Sequence, residues 1–284
     1  MNELYIINKL FTQNNFSNLL NNNYSNKIYD CIINDIVQID KQEFIDNQKA
    51  INLIYKYMAK NYRNEYFYQN TLFNKLLLGR HSLNTTAAIS QLPINKSIAD
   101  YIMINGKAVV YEIKTELDSF NRLKTQLNDY QRAFNNICVV TCEQNYSKLE
   151  SLLKETDIGI YVLSDNNTLQ YRKKYVENNN YLDYRTIFNI LRKKEYERII
   201  KDYYQKLPKT SQVKYYDACL KAIKAIPMNI FYSEFIKILK QRNKIDQDKF
   251  DQIPYELKSL VYFSDRKKVD FQQLSSFLSN NRSM

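Results

Sequence analysis

The chain has few of the residues on which several common functional sites depend. Glycine occurs only at Gly79, Gly106 and Gly159, whereas phosphate-binding loops need several glycines close together. A single histidine and four cysteines show no zinc-site spacing, so reduced thiols are expected. No apolar run approaches the length of a membrane span, and the N-terminus lacks a signal-peptide pattern. The sequence therefore predicts a cytoplasmic protein with no membrane association.

Basic residues are in excess, and the excess is confined to one part of the chain. The formal net charge is +11. Residues 1–171 contain 17 basic and 17 acidic residues, whereas residues 172–284 contain 24 and 13. Lys and Arg bind nucleic acids by neutralising phosphates and releasing counterions. The distribution therefore favours a nucleic-acid partner, although lysine-rich helices that only keep the surface soluble would give the same pattern.

Hydrophobic residues make up 44% of the 284 positions, which is ample for a core. Helical periodicity predicts helices over residues 29–39, 49–62 and 65–78, and the asparagine-rich segment 12–27 indicates a surface loop or a frayed segment. Six apolar, β-rich runs predict strands over residues 86–94, 98–104, 108–113, 137–141, 158–163 and 169–175. The fold class is therefore α/β.

Helical patterns resume after residues 176–180, whose sequence VENNN indicates a domain boundary. They cover residues 184–206, 211–225 and 230–244, with a shorter set beyond Pro254. We therefore predict three parts: an N-terminal helical segment over residues 1–62, an α/β core over residues 63–176 and a basic helical domain over residues 177–284.

Three charged residues interrupt the two central strands of the predicted core. Asp100 lies in the strand before the Asn105-Gly106 turn, and Glu112 and Lys114 lie at the end of the strand after it. Strand side chains alternate, so Glu112 and Lys114 point to the same face. Two carboxylates and an ammonium group form either a salt-bridged edge or a site for a hard divalent cation, which takes oxygen ligands. The residues alone leave both interpretations open.

The order of these residues resembles that of a known enzyme superfamily. Asp100, then Glu112-x-Lys114, then a helix with Gln126-x-x-x-Tyr130, resembles the PD-(D/E)xK nucleases, and the last element is typical of their RecB-like branch. The surrounding sequence is similar to a group of small bacterial proteins in that superfamily. The resemblance covers about residues 62–165, and it departs from the pattern in one respect, since Ala99 replaces the proline before Asp100.

The resemblance implies a restriction-endonuclease-like core, which is a mixed central sheet flanked by helices, followed by an all-helical C-terminal part. It further implies that Asp100, Glu112 and the carbonyl of Ile113 bind Mg²⁺ or Mn²⁺. The bound metal would activate water for attack on a phosphodiester bond.

The resemblance also assigns supporting roles to other residues. Lys114 would position the attacking water and neutralise the transition state, Gln126 would orient a ligand, the water or the DNA backbone, and Tyr130 would support the site. Glu65 in the preceding helix and His81, the sole histidine, are additional candidates. A helix-end acid that favours the helix dipole, and a surface histidine, are the competing interpretations of these two residues.

Hairpin geometry adds a requirement that the motif does not state. A two-residue turn at Asn105-Gly106 would place Asp100 and Glu112 on opposite faces of the sheet, because directly opposed residues share a face. We therefore predict an odd-length connection or a bulge between them. A three-residue loop over 104–106 would pair Asp100 with Val110.

The predicted function is metal-dependent hydrolysis of nucleic acid, with DNA favoured over RNA. Two alternatives stay open: a non-catalytic nucleic-acid-binding module with the same fold, and a regulatory protein whose C-terminal helices bind another protein. Steep salt dependence of binding distinguishes a nucleic-acid partner from a protein partner. The sequence leaves the nucleic-acid-binding residues, the oligomeric state and the endo- or exonucleolytic mode open.

Overall fold

The computed structural model describes residues 3–21, 27–37, 45–79, 83–242, 250–264 and 270–282. The chain divides into two compact units. One, here the terminal unit, combines Met1–Arg80 with Ile245–Met284, and the other, here the sheet unit, is His81–Lys244. These limits differ from the expected boundaries at residues 62/63 and 176/177. No helix in the described ranges is long and apolar enough to cross a membrane.

The N-terminal part of the terminal unit is helical. Its elements are α1 (Glu3–Leu10), α2 (Gln13–Asn21), α3 (Lys27–Cys31, continued by π-helix Ile32–Val37), β1 (Ile45–Asp46), α4 (Asn47–Asn61) and α5 (Glu65–Leu72, continued by π-helix Phe73–Leu78). The expectation of a surface loop over residues 12–27 is wrong for α2, because Phe16, Leu19 and Leu20 are buried there. Residues 22–26 of that expected loop lie outside the described ranges.

A six-stranded mixed sheet forms the centre of the sheet unit. Its strands are β2 (Ala87–Ile94), β3 (Ser97–Asn105), β4 (Lys107–Lys114), β5 (Ile137–Cys142), β6 (Gly159–Leu163) and β7 (Leu169–Lys173), and they lie side by side in sequence order. Only the β4–β5 and β5–β6 pairs are parallel. All six predicted strands are confirmed. The central strand β4 is buried after its first residue.

Helices pack against one face of this sheet. They are α6 (Leu123–Gln131), α7 (Glu143–Leu153), α8 (Tyr184–Ile190), α9 (Lys193–Tyr204), α10 (Gln212–Lys224) and α11 (Met228–Gln241). Sheet residues such as Ile102 and Val110 share one hydrophobic core with Leu127 of α6 and with Phe188 and Phe235 of the later helices. The helices after residue 180 are therefore part of the sheet unit's core, and for this reason the expected boundary near residue 176 is not a boundary of the structure.

The chain returns to the terminal unit for its last elements. These are a 3₁₀ turn (Tyr255–Leu257), α12 (Lys258–Phe263), α13 (Phe271–Ser279) and β8 (Asn281–Arg282). Strand β8 pairs antiparallel with β1, and Asn47 Nδ2 donates to the carbonyl of Phe277 at 2.9 Å. The sheet unit is therefore inserted, in sequence, between the two segments that build the terminal unit.

Candidate active site

The turn between β3 and β4 determines which charged side chains share a face. Asn105 pairs with Lys107, so Gly106 alone spans the turn, with a left-handed φ of 69°. The paired residues extend as far as Tyr101 and Tyr111. When the same register is extended by one residue, Asp100 lies opposite Glu112. The predicted odd-length connection is confirmed, and with it the common face. The expected alignment of Asp100 with Val110 is wrong, because the loop is centred on Gly106.

Glu112 and Lys114 form a buried ion pair at the end of β4. Lys114 Nζ lies 2.8 Å from Glu112 Oε1, and their side chains are 10% and 1% exposed. Lys114 Nζ also donates to Gln126 Oε1 on α6 at 3.0 Å. The carboxylate and the amide oxygen together hold the ammonium group at a fixed position. Burying such an ion pair costs solvation free energy, so a gain in stability does not by itself explain why the pair occurs in this strand.

Tyr130 connects helix α6 to both central strands. Its hydroxyl oxygen lies 2.6 Å from the carbonyl oxygen of Ile98 on β3 and 2.7 Å from Glu112 Oε2 on β4. Burial raises the pKa of Tyr130 well above its usual range, and the nearby charge of Glu112 raises it further. The hydroxyl therefore stays protonated at neutral pH and fixes the orientation of the Glu112 carboxylate.

Asp100 is the more accessible of the two carboxylates. It is partly buried, and its Oδ2 accepts a hydrogen bond from the backbone N–H of Ile113 at 2.8 Å. The neighbouring strand is distorted at this point, because Gln91 lies between the Ser90–Tyr101 and Leu92–Ala99 pairs with φ of 52°. A left-handed residue other than glycine costs roughly 1–2 kcal/mol. Glutamine is not typical of turns or of left-handed backbone, so the sequence did not indicate this strain at position 91.

The loop after β4 is fixed by hydrogen bonds that the sequence did not reveal. Asp118 Oδ2 accepts from both the backbone N–H and the hydroxyl of Thr115, each at 2.8 Å. Asn145 Nδ2 of α7 donates to the carbonyl of Thr115 at 3.0 Å, and Thr141 Oγ1 of β5 donates to the carbonyl of Lys114 at 2.8 Å. These contacts hold the end of β4 on which Lys114 stands.

The structure thus brings together five of the predicted site residues: Asp100, Glu112, Lys114, Gln126 and Tyr130. Ile113 lies between two of them and contributes its backbone N–H to Asp100. Glu65 is exposed in the first turn of α5, which belongs to the terminal unit. His81 lies outside the described residues. The motif-based part of the prediction therefore forms one cluster within the sheet unit.

The ligand chemistry of the cluster suits a hard divalent cation. Within the described ranges, no three His, Cys, Asp or Glu side chains come together. Mg²⁺, however, commonly takes only one or two carboxylates from a protein, with water and substrate phosphate completing its coordination. Asp100 and Glu112 supply two carboxylates on one face, and each carboxylate oxygen can accept more than one interaction. The chemistry of these two side chains fits such an ion, and Asp100 is the more accessible of the two carboxylates.

Comparisons with known proteins place the chain in a phage-related family. Residues 58–274 match the family of bacteriophage P4 protein cII. This match covers more than half of the chain and includes the whole sheet unit. The chain therefore belongs to the bacteriophage P4 protein cII family. Neither the curated proteins nor the solved structures contain a match to the sequence.

Proposed function

We propose that this member of the bacteriophage P4 protein cII family is a metal-dependent nuclease that hydrolyses phosphodiester bonds of DNA, with RNA a less favoured substrate. The sheet unit would be a restriction-endonuclease-like core, and Mg²⁺ or Mn²⁺ would be the cofactor. The observation that carries the proposal is the cluster itself. Four residues of a spaced sequence motif, Glu112, Lys114, Gln126 and Tyr130, are joined by hydrogen bonds between a strand and a helix. The fifth, Asp100 on the neighbouring strand, accepts from the backbone N–H of Ile113, which lies between Glu112 and Lys114.

Each residue of the cluster would have a distinct role in the reaction. Asp100 and Glu112 would hold the metal, together with the carbonyl of Ile113. A bound divalent cation lowers the pKa of a water ligand and stabilises negative charge that develops on the phosphate. Lys114, oriented by Glu112 and by Gln126 on α6, would place its ammonium group beside the phosphate oxygens.

Tyr130 would act as a positioning residue. Its hydroxyl contacts Glu112 Oε2 and the backbone carbonyl of Ile98, so it fixes the carboxylate without touching substrate. Preorganised ligands of this kind need no rearrangement when charge develops in the transition state.

The charge distribution supports a nucleic-acid substrate for the same unit. Residues 172–244 contain 18 basic and 7 acidic residues, whereas residues 245–284 contain six of each. The basic excess therefore belongs to the part of the sheet unit from the end of β7 onward. The helices of this part share one core with the strands that carry the cluster. Such an excess provides sequence-independent affinity for phosphates.

The test compares two isosteric substitutions at acids of similar burial. Asp100→Asn removes the accessible carboxylate but keeps an oxygen that can accept from Ile113. Asp129→Asn is the matched control, since Asp129 on α6 accepts from Ser97 Oγ at 2.7 Å and is partly buried. The purified proteins are incubated with linear, circular and single-stranded DNA and with RNA, in the presence of Mg²⁺ or Mn²⁺.

We expect Asp100→Asn to lower the cleavage rate by about 100-fold or more, as the loss of a key transition-state contact does, while Asp129→Asn stays near wild type. Cleavage by Asp100→Asn at the wild-type rate would refute the assignment. Circular dichroism of each variant shows whether the fold is retained.

One observation favours a second candidate, the non-catalytic nucleic-acid-binding module. Glu112 is buried, and both of its oxygens already have partners in Lys114 and Tyr130. A wild-type protein that binds DNA, with affinity falling steeply as salt increases, and that cleaves no substrate with either metal would support this candidate. Binding that is insensitive to salt would instead favour a protein partner.

A further inference from the structure

A separate cavity lies at the opposite end of the sheet from the carboxylate cluster. Its volume is about 620 Å³, within the range of pockets that bind small ligands. It is lined by the start of β4, by the residues just before β5, by the segment after β7 and by the first turns of α11. Ala108 in the cavity wall and Lys114 are six positions apart along β4, which corresponds to about 20 Å along a strand.

One wall of the cavity consists of linked carboxamides. Asn136 Nδ2 donates to Asn135 Oδ1, and Asn135 Nδ2 donates to Asn179 Oδ1, both at 2.8 Å. Asn136 is 1% exposed, and its Oδ1 receives no hydrogen bond from the described part of the chain. A buried acceptor without a donor costs roughly 1–3 kcal/mol. This wall is therefore a polar surface whose amide groups are held in place by one another.

Other residues of the cavity wall are apolar or aromatic. They include Leu182, Met228 and Tyr232. The hydroxyl of Tyr232 is held at 2.7 Å by Asn135 Oδ1, which fixes the ring beside the amides. Aromatic and apolar side chains stack on nucleobases, and side-chain amides hydrogen-bond to base edges.

The N-terminus of α11 also opens on this cavity. Met228 and Asn229, its first two residues, line it. The helix has 14 residues, no side chain caps its N-terminus, and its first turn has no acidic residue. Backbone N–H groups in a first helical turn lack intrahelical acceptors and attract anions such as phosphate.

The charged residues of the cavity wall carry no uncompensated charge. Lys107 Nζ lies 2.9 Å from Glu177 and Lys237 Nζ lies 2.6 Å from Glu234. The helix terminus is thus the part of the wall that attracts an anion, while the amide and apolar walls suit a neutral, flat ring.

We propose that this cavity binds a nucleoside monophosphate. The base lies between the apolar wall and the carboxamides, and the phosphate lies at the N-terminus of α11. This inference does not depend on nuclease activity, because the cavity uses none of the residues of the carboxylate cluster.

The test measures binding to the full-length protein by calorimetry, with a chelator present so that metal-dependent binding at the cluster does not contribute. The probes are AMP, GMP, CMP, UMP, adenosine and inorganic phosphate. We expect at least one monophosphate to bind about tenfold or more tightly than both adenosine and phosphate. Only a monophosphate can occupy the part of the cavity that holds the base and the part that holds the phosphate at the same time. Absence of binding by all four monophosphates, or phosphate binding equally well, would overturn the proposal.

Two pairs of variants locate the site. Asn229→Glu places a negative charge at the start of α11, where acids stabilise a helix, so it should fold normally and weaken nucleotide binding by about tenfold or more. Gln212→Glu makes the same change at the exposed start of α10 and should have no effect. Ser233→Trp should fill the cavity and abolish binding, and Ser147→Trp on exposed α7 should not. Equal effects within both pairs would show that the cavity is not the site.

Discussion

At the scale of single residues, the Tyr130 hydroxyl lies within reach of more than one acceptor. It has one proton and lies within hydrogen-bonding distance of two acceptors, the carbonyl of Ile98 and Glu112 Oε2. Removing it leaves the buried Glu112 carboxylate and the partly buried carbonyl of Ile98 with one possible partner fewer. Because the ring itself is fully buried, phenylalanine keeps the packing and isolates the contribution of the hydroxyl.

We predict that Tyr130→Phe lowers the free energy of unfolding by about 1–3 kcal/mol, the cost of leaving a buried hydrogen-bonding group unsatisfied. Urea denaturation followed by circular dichroism measures this change. Tyr203→Phe is the control, because Tyr203 is 44% exposed and surface substitutions usually stay within about 0.5 kcal/mol. Equal effects of the two substitutions would show that the hydroxyl of Tyr130 does not stabilise the cluster.

At the scale of secondary-structure elements, the one-residue turn at Gly106 is the feature that places two acids on one face. Gly106 has φ of 69°, and a Cβ added there would meet no atom within 4 Å. The need for glycine is therefore conformational rather than steric. Gly159 is the opposite case, since an added Cβ would lie 2.8 Å from Cys138 Sγ and 2.9 Å from the backbone nitrogen of Tyr175.

We predict that Gly106→Ala lowers the free energy of unfolding by about 1 kcal/mol, because alanine is disfavoured at positive φ. Gly106→Asn should cost less, since asparagine tolerates this region. Gly159→Ala should cost more than either, because neighbouring backbone must move. Urea midpoints of the three variants give the order, and a larger loss for Asn than for Ala at position 106 would contradict the conformational explanation.

Elements with local signals were predictable from the sequence. The strands follow from β-branched runs, and the common face of Asp100 and Glu112 follows from turn length and strand alternation. Helix α2 was not predicted, because its many asparagines make the segment polar on average although it contains three apolar residues at helical spacing. The single helix expected over 184–206 is two helices, with α9 starting where Glu195 Oε2 accepts from the backbone N–H of Arg192 at 2.7 Å. Neither proline nor glycine marks that break.

At the scale of the whole molecule, the unit boundaries depend on contacts between residues far apart in sequence, which local patterns do not encode. Strands β1 and β8 are more than 200 residues apart, and the core of the sheet unit extends to α11. The sequence-based division treated the helices after residue 176 as a separate basic domain. The core instead requires Ile187, Phe188 and Phe231, each of which is 0–1% exposed.

We predict that a fragment of residues 81–244 unfolds cooperatively in urea and that a fragment of residues 81–176 does not. The shorter fragment exposes the apolar face that α8–α11 cover, and each large apolar side chain that loses burial costs roughly 1.5–3 kcal/mol. Circular dichroism and analytical ultracentrifugation test both fragments. A cooperative transition in the shorter fragment would restore the boundary near residue 176.

Alkaline pH should destabilise the molecule through its buried tyrosines. Burial raises the pKa of Tyr111 and of Tyr232 well above the usual value near 10. Above that pH the unfolded chain releases these protons and the folded chain retains them, so stability decreases as pH increases. We expect urea midpoints to be similar at pH 8 and 9, to be lower at pH 11, and to decrease less in Tyr111→Phe. An unchanged midpoint at pH 11 would contradict this.

The insertion of one unit within the other has a consequence for biosynthesis. When residue 244 leaves the ribosome, all of the sheet unit has emerged, whereas Ile245–Met284 of the terminal unit, including α13 and the strand that pairs with β1, have not. At about 5–20 residues per second, those last residues take on the order of a few seconds. The unit that carries the carboxylate cluster can therefore fold before the terminal unit, whose N-terminal helices need Ile245–Met284 to complete their fold.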